Sequence, residues 1–168
     1  ASTASVGGDI HEVARRIMSR LRKTFRTDIA GVLLLDGDTS LREYGAETEQ
    51  SSISFLAKTK QVRGVIKSGR PARMGEMESE GAWVDLLEKR KKIRSILAVP
   101  LKYRGSVLGV LAMASTERNA FTLDDEQLLV LIASQLAGLF ENARLNQETR
   151  ERVRNLTLIH QVVENILG

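Results

Sequence analysis

The side chains best suited to chemistry fall into three small groups. Asp124-Asp125-Glu126 sets three carboxylates in a row, which could hold a metal or share acid and base roles. His11 and His160 are the only imidazoles available for a metal, a haem or a proton. Gly105-x-x-x-Gly109 is the nearest approach to a phosphate-cradling glycine pattern. Each group has a sufficient structural explanation. The carboxylates open a helical stretch, where the helix macrodipole favours negative charge. Thr122 and Asp125 approximate a capping box, in which hydroxyl and carboxylate occupy orphan amides of the first turn. The glycines belong to a hairpin turn and its second strand. The histidines sit on two separate helical stretches, as surface or seam residues. Neither catalysis nor a metal is expected.

The chain contains no cysteine. Disulfides, thiolate catalysis, cysteine-ligated zinc and a thioether-linked bilin are therefore excluded within it. Its 42% apolar and 27% charged residues are ordinary for a globular domain, and its length suits one core. No unbroken apolar run approaches the roughly 20 residues that cross a bilayer. Residues 1–8 lack the basic-then-apolar pattern of a signal peptide. The expectation is a cytoplasmic chain with no membrane insertion. The formal charge of +4 is concentrated at Arg15, Arg16, Arg20, Arg22, Lys23 and Arg26, and at Lys89-Arg90-Lys91-Lys92 with Arg94. No aromatic residues interleave with these charges as stacking platforms, so solvated helix faces are expected rather than a nucleic-acid surface.

The elements that would position these groups follow from periodicity. Ile10, Val13, Ala14, Ile17, Met18, Leu21 and Phe25 form one helical stripe, with Asp9 as its N-cap. Residues 29–35 read as a strand apolar on both faces, and residues 40–44 as a more exposed return strand. Ile53 and Phe55 are placed in a short strand. Residues 62–67 read as a short helix stopped by Ser68-Gly69-Arg70-Pro71, and residues 72–74 as a brief strand. Residues 75–81 are flexible and acidic. Residues 83–91 read as a helix with Trp83, Leu86 and Leu87 facing inward. Residues 95–101 and 107–113 are strands apolar on both faces, joined at Arg104-Gly105. So short a connection makes them antiparallel. Pro100, which lacks a ladder donor, implies an edge or a bulge. Strands buried on both faces need cover on both sides. The predicted fold is α+β: a central antiparallel sheet of about six strands, terminal helices on one face, and short helices and loops on the other.

The order from Ser95 to Asn142, strand, turn, strand, the phrase Phe121-Thr122-Leu123-Asp124-Asp125-Glu126 and a long helix, resembles the C-terminal half of a GAF domain. Residues 10–35 and 64–73 extend the likeness. Phe121-x-x-x-Asp125-Glu126 matches half of the signature of the family's cyclic-nucleotide-binding branch. The other half, an Asn-Lys pair, is replaced by Ser115-Thr116, so capping is the preferred reading. The tetrapyrrole branch relies on a cysteine and an aromatic, histidine-rich pocket, and the methionine-sulfoxide reductase branch on cysteines, which are absent here. His11-Glu12-Val13-Ala14-Arg15 is only faintly similar to a histidine-kinase phosphoacceptor helix, because the following proline is missing.

The resemblance implies a non-catalytic sensory module of a signalling protein, binding a small ligand between the sheet and the short-helix layer. Arg73, Met74, Glu76, Met77 and Trp83 are then the candidate lining residues, with Arg73 facing an anionic ligand. The alternative is a ligand-free dimerisation or interaction module whose Met74, Met77 and Trp83 fill the space. The cofactor is unspecified. Residues 122–167 read as one helix whose Leu156, Ile159, Val163 and Ile166 follow alternating steps of three and four, the seam of a coiled coil, which the polar stretch Asn146 to Arg152 interrupts. A parallel homodimer through this seam is expected, with residues 1–8 as a flexible N-terminus, 9–144 as the domain and 145–168 as a helical extension. An output domain in the same parent chain is also expected. The resemblance gives that output as a further sensory module, a histidine kinase of a two-component system or a nucleotide cyclase.

Overall fold

A computed structural model of the chain describes residues 6–25, 27–37, 40–46, 53–77, 83–86 and 89–167. The elements are α1 (Val6–Thr24), β1 (Ile29–Asp36), β2 (Ser40–Tyr44), a 3₁₀ helix (Ser54–Lys58), α2 (Lys60–Ser68), β3 (Ala72–Met74), β4 (Trp83–Leu86), β5 (Lys89–Lys92), β6 (Ser95–Tyr103), β7 (Ser106–Ser115) and α3 (Leu123–Leu167).

The β6–β7 hairpin forms at the expected turn. Arg104 and Gly105 both take positive φ, 51° and 83°, as a two-residue turn between right-twisted strands requires. All described sheet pairings are antiparallel, and the main sheet runs β2-β1-β7-β6-β3. Among the described residues it has five strands where about six are expected; β4 and β5 form a separate two-stranded sheet. Pro100 meets the edge expectation, while it stays in register with Val110 on the other side and the bulge falls beyond it. β3 pairs only with Ile96 to Ala98, so Pro100 lies beyond that partner, and the register breaks between Leu101 and Lys102.

Strand alternation divides the core. Leu97, Val99, Leu101, Leu111 and Met113 face α1 and α3, packing on Met18, Leu21, Leu129, Leu136 and Phe140. Ile96, Ala98, Val110, Ala112 and Ala114 face the other way, against Ile53, Leu56, Val62, Val65 and Met77. The terminal helices and the short-helix layer thus cover opposite faces, as predicted. The α2 boundaries follow local chemistry. The Thr59 hydroxyl accepts from the Val62 amide at its start, and Gly69, at φ 68°, ends it with its N–H on the Val65 carbonyl.

Four local expectations are corrected. Where a helix over 83–91 is expected, Trp83–Leu86 and Lys89–Lys92 are strands. Trp83 pairs with Lys92 across β4–β5, its ring lies 5.6 Å from the Arg90 guanidinium carbon, and it is 56% exposed rather than inward. Cross-strand pairing outweighed the helix propensity of the lysines and arginines. The Lys89–Lys92 cluster therefore lies on a strand, where charge discourages further edge pairing. Phe55 lies in the 3₁₀ helix and Ile53 just before it, held by its amide on the Glu43 carboxylate at 2.6 Å. The first helix begins at Val6, so Asp9 lies within it rather than capping it. The inward placement of Leu86 and Leu87, and the acidic segment beyond Met77, fall outside the described residues or side chains.

One close approach is strict. A Cβ on Gly109 would stand 2.0 Å from the Leu33 carbonyl oxygen on neighbouring β1. Gly109→Ala should destabilise the domain by about 3 kcal/mol or more, because the obstruction is backbone and cannot rotate away. Urea unfolding would measure it, and a loss no larger than that of an exposed Gly64→Ala change would refute the close packing.

Candidate functional site

The region with the densest polar organisation is the junction where β3, β6 and β7 meet the start of α3. The capping box is present. The Asp125 amide donates to the Thr122 hydroxyl at 3.1 Å, and the Thr122 amide donates to the Asp125 carboxylate at 2.9 Å. Arg73 on β3 reaches the same turn. Its guanidinium donates to the Phe121 carbonyl at 3.4 Å and lies 3.7 Å from the Glu126 carboxylate.

The loop after β3 is tied to the β7–α3 connection. The Asn119 amide donates to the Gly75 carbonyl at 2.8 Å, Glu76 pairs with Arg118 at 2.7 Å, and the Met77 amide donates to the Arg94 carbonyl at 2.6 Å. A Cβ on Gly75 would meet the Asn119 side-chain oxygen at 2.0 Å. Beneath this lies buried Ser95, whose hydroxyl donates to the Glu117 carbonyl at 2.6 Å.

Ser115-Thr116, where an Asn-Lys pair would complete the nucleotide signature, binds Asp28 instead. The Asp28 carboxylate accepts from the Thr116 amide at 2.8 Å, the Thr116 hydroxyl at 3.0 Å and the Ser115 hydroxyl at 3.4 Å. Sequence reading did not single out Asp28. Its signal is a lone carboxylate before β1, and its partners lie 87 and 88 positions away.

The candidate lining residues are therefore only partly gathered. Met77 is buried, and Met74 packs beside it on the short-helix face, with its sulfur accepting from the Gln61 amide at 3.3 Å. Arg73 points to the opposite face, because adjacent strand residues alternate; its register partner Leu97 belongs to the helix-side core, whereas Ile96, partner of Met74, belongs to the other. Glu76 is at the rim, and Trp83 is outside on β4. The seam candidates Leu156, Ile159, Val163 and Ile166 are all exposed on α3.

A second feature lies on the helix side, where α3 leaves the sheet. A cavity of about 230 Å³ is bounded by Ile10, Leu34, Tyr44, Leu108 and Phe140, with Arg42, Glu141 and Arg144 at its polar edge. Arg144 donates to Glu141, holding that carboxyl below its ordinary pKa, and also binds Glu148 at 2.6 Å. His11 packs against Tyr44, with ring centres 4.5 Å apart and the planes tilted by 35°. His160 pairs with Glu164 at 2.9 Å on the exposed part of α3. Among the described residues, no three His, Asp or Glu side chains cluster closely enough to hold a metal.

A family model described as GAF domain matches residues 8–141. The chain belongs to the GAF domain family. Solved structures share the fold at low identity. The GAF domain of an Acinetobacter phosphoenolpyruvate-protein phosphotransferase is similar at 20% identity and TM-score 0.65, covering 86% of this chain and 87% of that one. The GAF-B domain of DevS from Mycobacterium smegmatis is similar at 17% identity and TM-score 0.62, covering 82% and 97%. The type II free methionine-R-sulfoxide reductase of Thermoplasma acidophilum is similar at 16% identity and TM-score 0.64, covering 83% and 96%. No curated protein sequence matches significantly. One stretch of α3 in this GAF domain is long and apolar enough to cross a membrane by length and composition alone, and a third of it is buried inside the fold.

Two measurements test the electrostatics. Burial first, then the charges of Arg42 and Arg15, hold the His11 imidazole below its ordinary 6.5. The unfolded chain therefore protonates first, so stability present above that pH should fall as pH drops towards the folded value. His11→Gln should flatten that slope in urea unfolding between about pH 7.5 and 5.5; an unchanged slope would exclude His11 as its source. Asp28→Ala should cost about 1 kcal/mol by stranding the Ser115 and Thr116 donors. A neutral effect would show that Asp28 does not hold the junction.

Proposed function

We propose that this GAF domain is a non-catalytic regulatory module of a larger signalling protein. A small ligand seated against the short-helix face contacts Met74 and Met77, with Glu76 at its rim. Its occupancy shifts the β3 loop, and Arg73 passes that shift to the start of α3. The observation that carries this reading is the junction. The segment bearing the candidate ligand contacts is bonded to the first turn of α3, which then runs unbroken for 45 residues. Relay needs a two-state element that the ligand biases, and a helix capped at one end by the sensing layer supplies one.

The absence of cysteine supports a non-catalytic role, because the family's thiol-based reductase chemistry has no nucleophile in this chain. The proposed partners are a twin chain, joined at Leu156, Ile159, Val163 and Ile166, and an output domain in the parent protein. In this reading residues 9–144 make the sensing domain and residues 145–168 a signalling extension of it, within a cytoplasmic region.

A specific observation favours a second reading, a ligand-free interaction module. Ile53 is packed so closely over Gly31 that a Cβ there would stand 2.5 Å from its side chain, leaving that part of the sheet face filled.

A thermal-shift screen against amino acids, nucleotides and small carboxylates separates the two. The sensory reading expects at least one ligand to raise Tm, with Met74→Ala weakening it about tenfold, the worth of about 1.4 kcal/mol of contact. Arg73→Gln should leave that ligand's affinity within about threefold while abolishing its effect on amide exchange beyond Ala143. A screen without hits would sink the sensory reading and leave the interaction module.

A further inference from the structure

We propose that the cavity on the helix side of the sheet binds a small zwitterion with an apolar body, an apolar α-amino acid being the simplest case. It lies on the face opposite the short-helix layer. It is therefore a second site, independent of the ligand proposed above.

The first observation is where the helix-side core fails to close. Ile10 on α1 and Phe140 on α3 are buried, whereas Leu34, Tyr44 and Leu108, on three different strands, are only partly covered. These five side chains surround a void of about 230 Å³. Apolar groups lining a void forgo contacts that an occupant would restore. The volume falls just below the roughly 300–1,000 Å³ of drug-sized sites, so the occupant is small. One branched or aromatic group with its head group suits it.

The second observation is the charge at the edge. Glu141 and Arg144 satisfy each other, two guanidinium nitrogens donating to the two carboxylate oxygens, and Arg144 also holds Glu148. That leaves Asp36 and Arg42, which both line the cavity. Neither forms an ion pair among the described residues; the Arg42 guanidinium carbon instead lies 5.6 Å from the centre of the Tyr44 ring. One free carboxylate and one free guanidinium thus share the mouth of an apolar chamber.

The third observation is their spacing. In the β1–β2 ladder Leu34 is opposite Arg42, and Asp36 is opposite Ser40. Asp36 and Arg42 are therefore diagonal neighbours on one face of the sheet, the face that also carries Leu34 and Tyr44. Diagonal positions stand about 7–8 Å apart, which admits a head group between the two side chains. An α-amino acid carries its ammonium and carboxylate on one carbon. Its carboxylate pairs with Arg42 and its ammonium with Asp36, while its side chain descends onto Leu34, Leu108 and Phe140. A plain carboxylate would bring like charge against Asp36, and a plain amine would bring it against Arg42. Charge complementarity selects the molecule that has both.

His11 reports on this site. Its ring packs on Tyr44 at the cavity wall, whereas the chain's other histidine, His160, lies on the exposed part of α3. Proton NMR of the full chain titrated with phenylalanine or leucine should move the His11 imidazole signals, with a Kd of about 1 mM or less, and leave those of His160 in place. Phenylpropionate, which lacks the ammonium, and phenethylamine, which lacks the carboxylate, should each bind at least about tenfold more weakly than phenylalanine. Arg42→Gln and Asp36→Asn, both at exposed positions, should weaken phenylalanine by a similar factor. Met74→Ala should leave its affinity unchanged. His11 signals unmoved at about 10 mM of either amino acid would overturn the site. Phenylpropionate binding as tightly as phenylalanine would overturn the zwitterion. Binding lost in Met74→Ala but kept in Arg42→Gln would overturn this inference and leave the short-helix ligand standing.

Discussion

The structure depends on the fact that β6 and β7 are apolar on both faces. A strand pair of this kind has no stable position at the edge of a sheet or with one side in water. It must lie centrally and be covered twice. The turn at Arg104-Gly105 makes the pair antiparallel and sets its register, and the rest of the architecture follows. β1 takes the free edge of β7 and β3 a short length of β6. The terminal helices and the short-helix layer divide the two faces. Gly109 marks how closely the centre is drawn together, with the Leu33 carbonyl occupying the space a side chain would need.

Because both faces are spoken for, the covering layers differ in what they can do. The short-helix side is assembled from a 3₁₀ helix, a nine-residue helix and the loop after β3, all short pieces. The other side is dominated by one helix, which cannot move at one end without moving at the other. The polar junction of Arg73, Gly75, Ser95, Asn119 and the capping box is where the two meet. Its hydrogen bonds cross from the short-helix side to α3. The regulatory role proposed for this GAF domain rests on that junction, with the long helix as its proposed lever.

Legibility in the sequence tracked the range of the signal. The hairpin, the first helix, the α2 stop at Gly69 and the capping box were all readable because each is specified by residues within a turn or two of one another. Residues 83–91 were misread for the complementary reason. Their lysines and arginines suit a helix, and only the facing strand, with Arg90 beneath Trp83, makes the extended form better. Ile53 was misplaced because its position is set by Glu43, ten residues away. Of the candidate lining residues, the two methionines fell together as expected of apolar positions near a sheet. Arg73 did not, since strand alternation sent it to the face its neighbour Met74 avoids.

The sequence alone determined the family and the antiparallel hairpin, because periodicity and turn chemistry are local. It could not determine which polar groups would meet. Asp28 with Ser115 and Thr116, or Arg73 with Phe121 and Glu126, are pairings across long loops, and their individual residues carry no mark of them. Nor could it separate the two faces of α3 within the domain. Leu128 and Leu129 are the same residue type at adjacent positions. Only the sheet, by burying Leu129 and leaving Leu128 in solvent, decides which one belongs to the core.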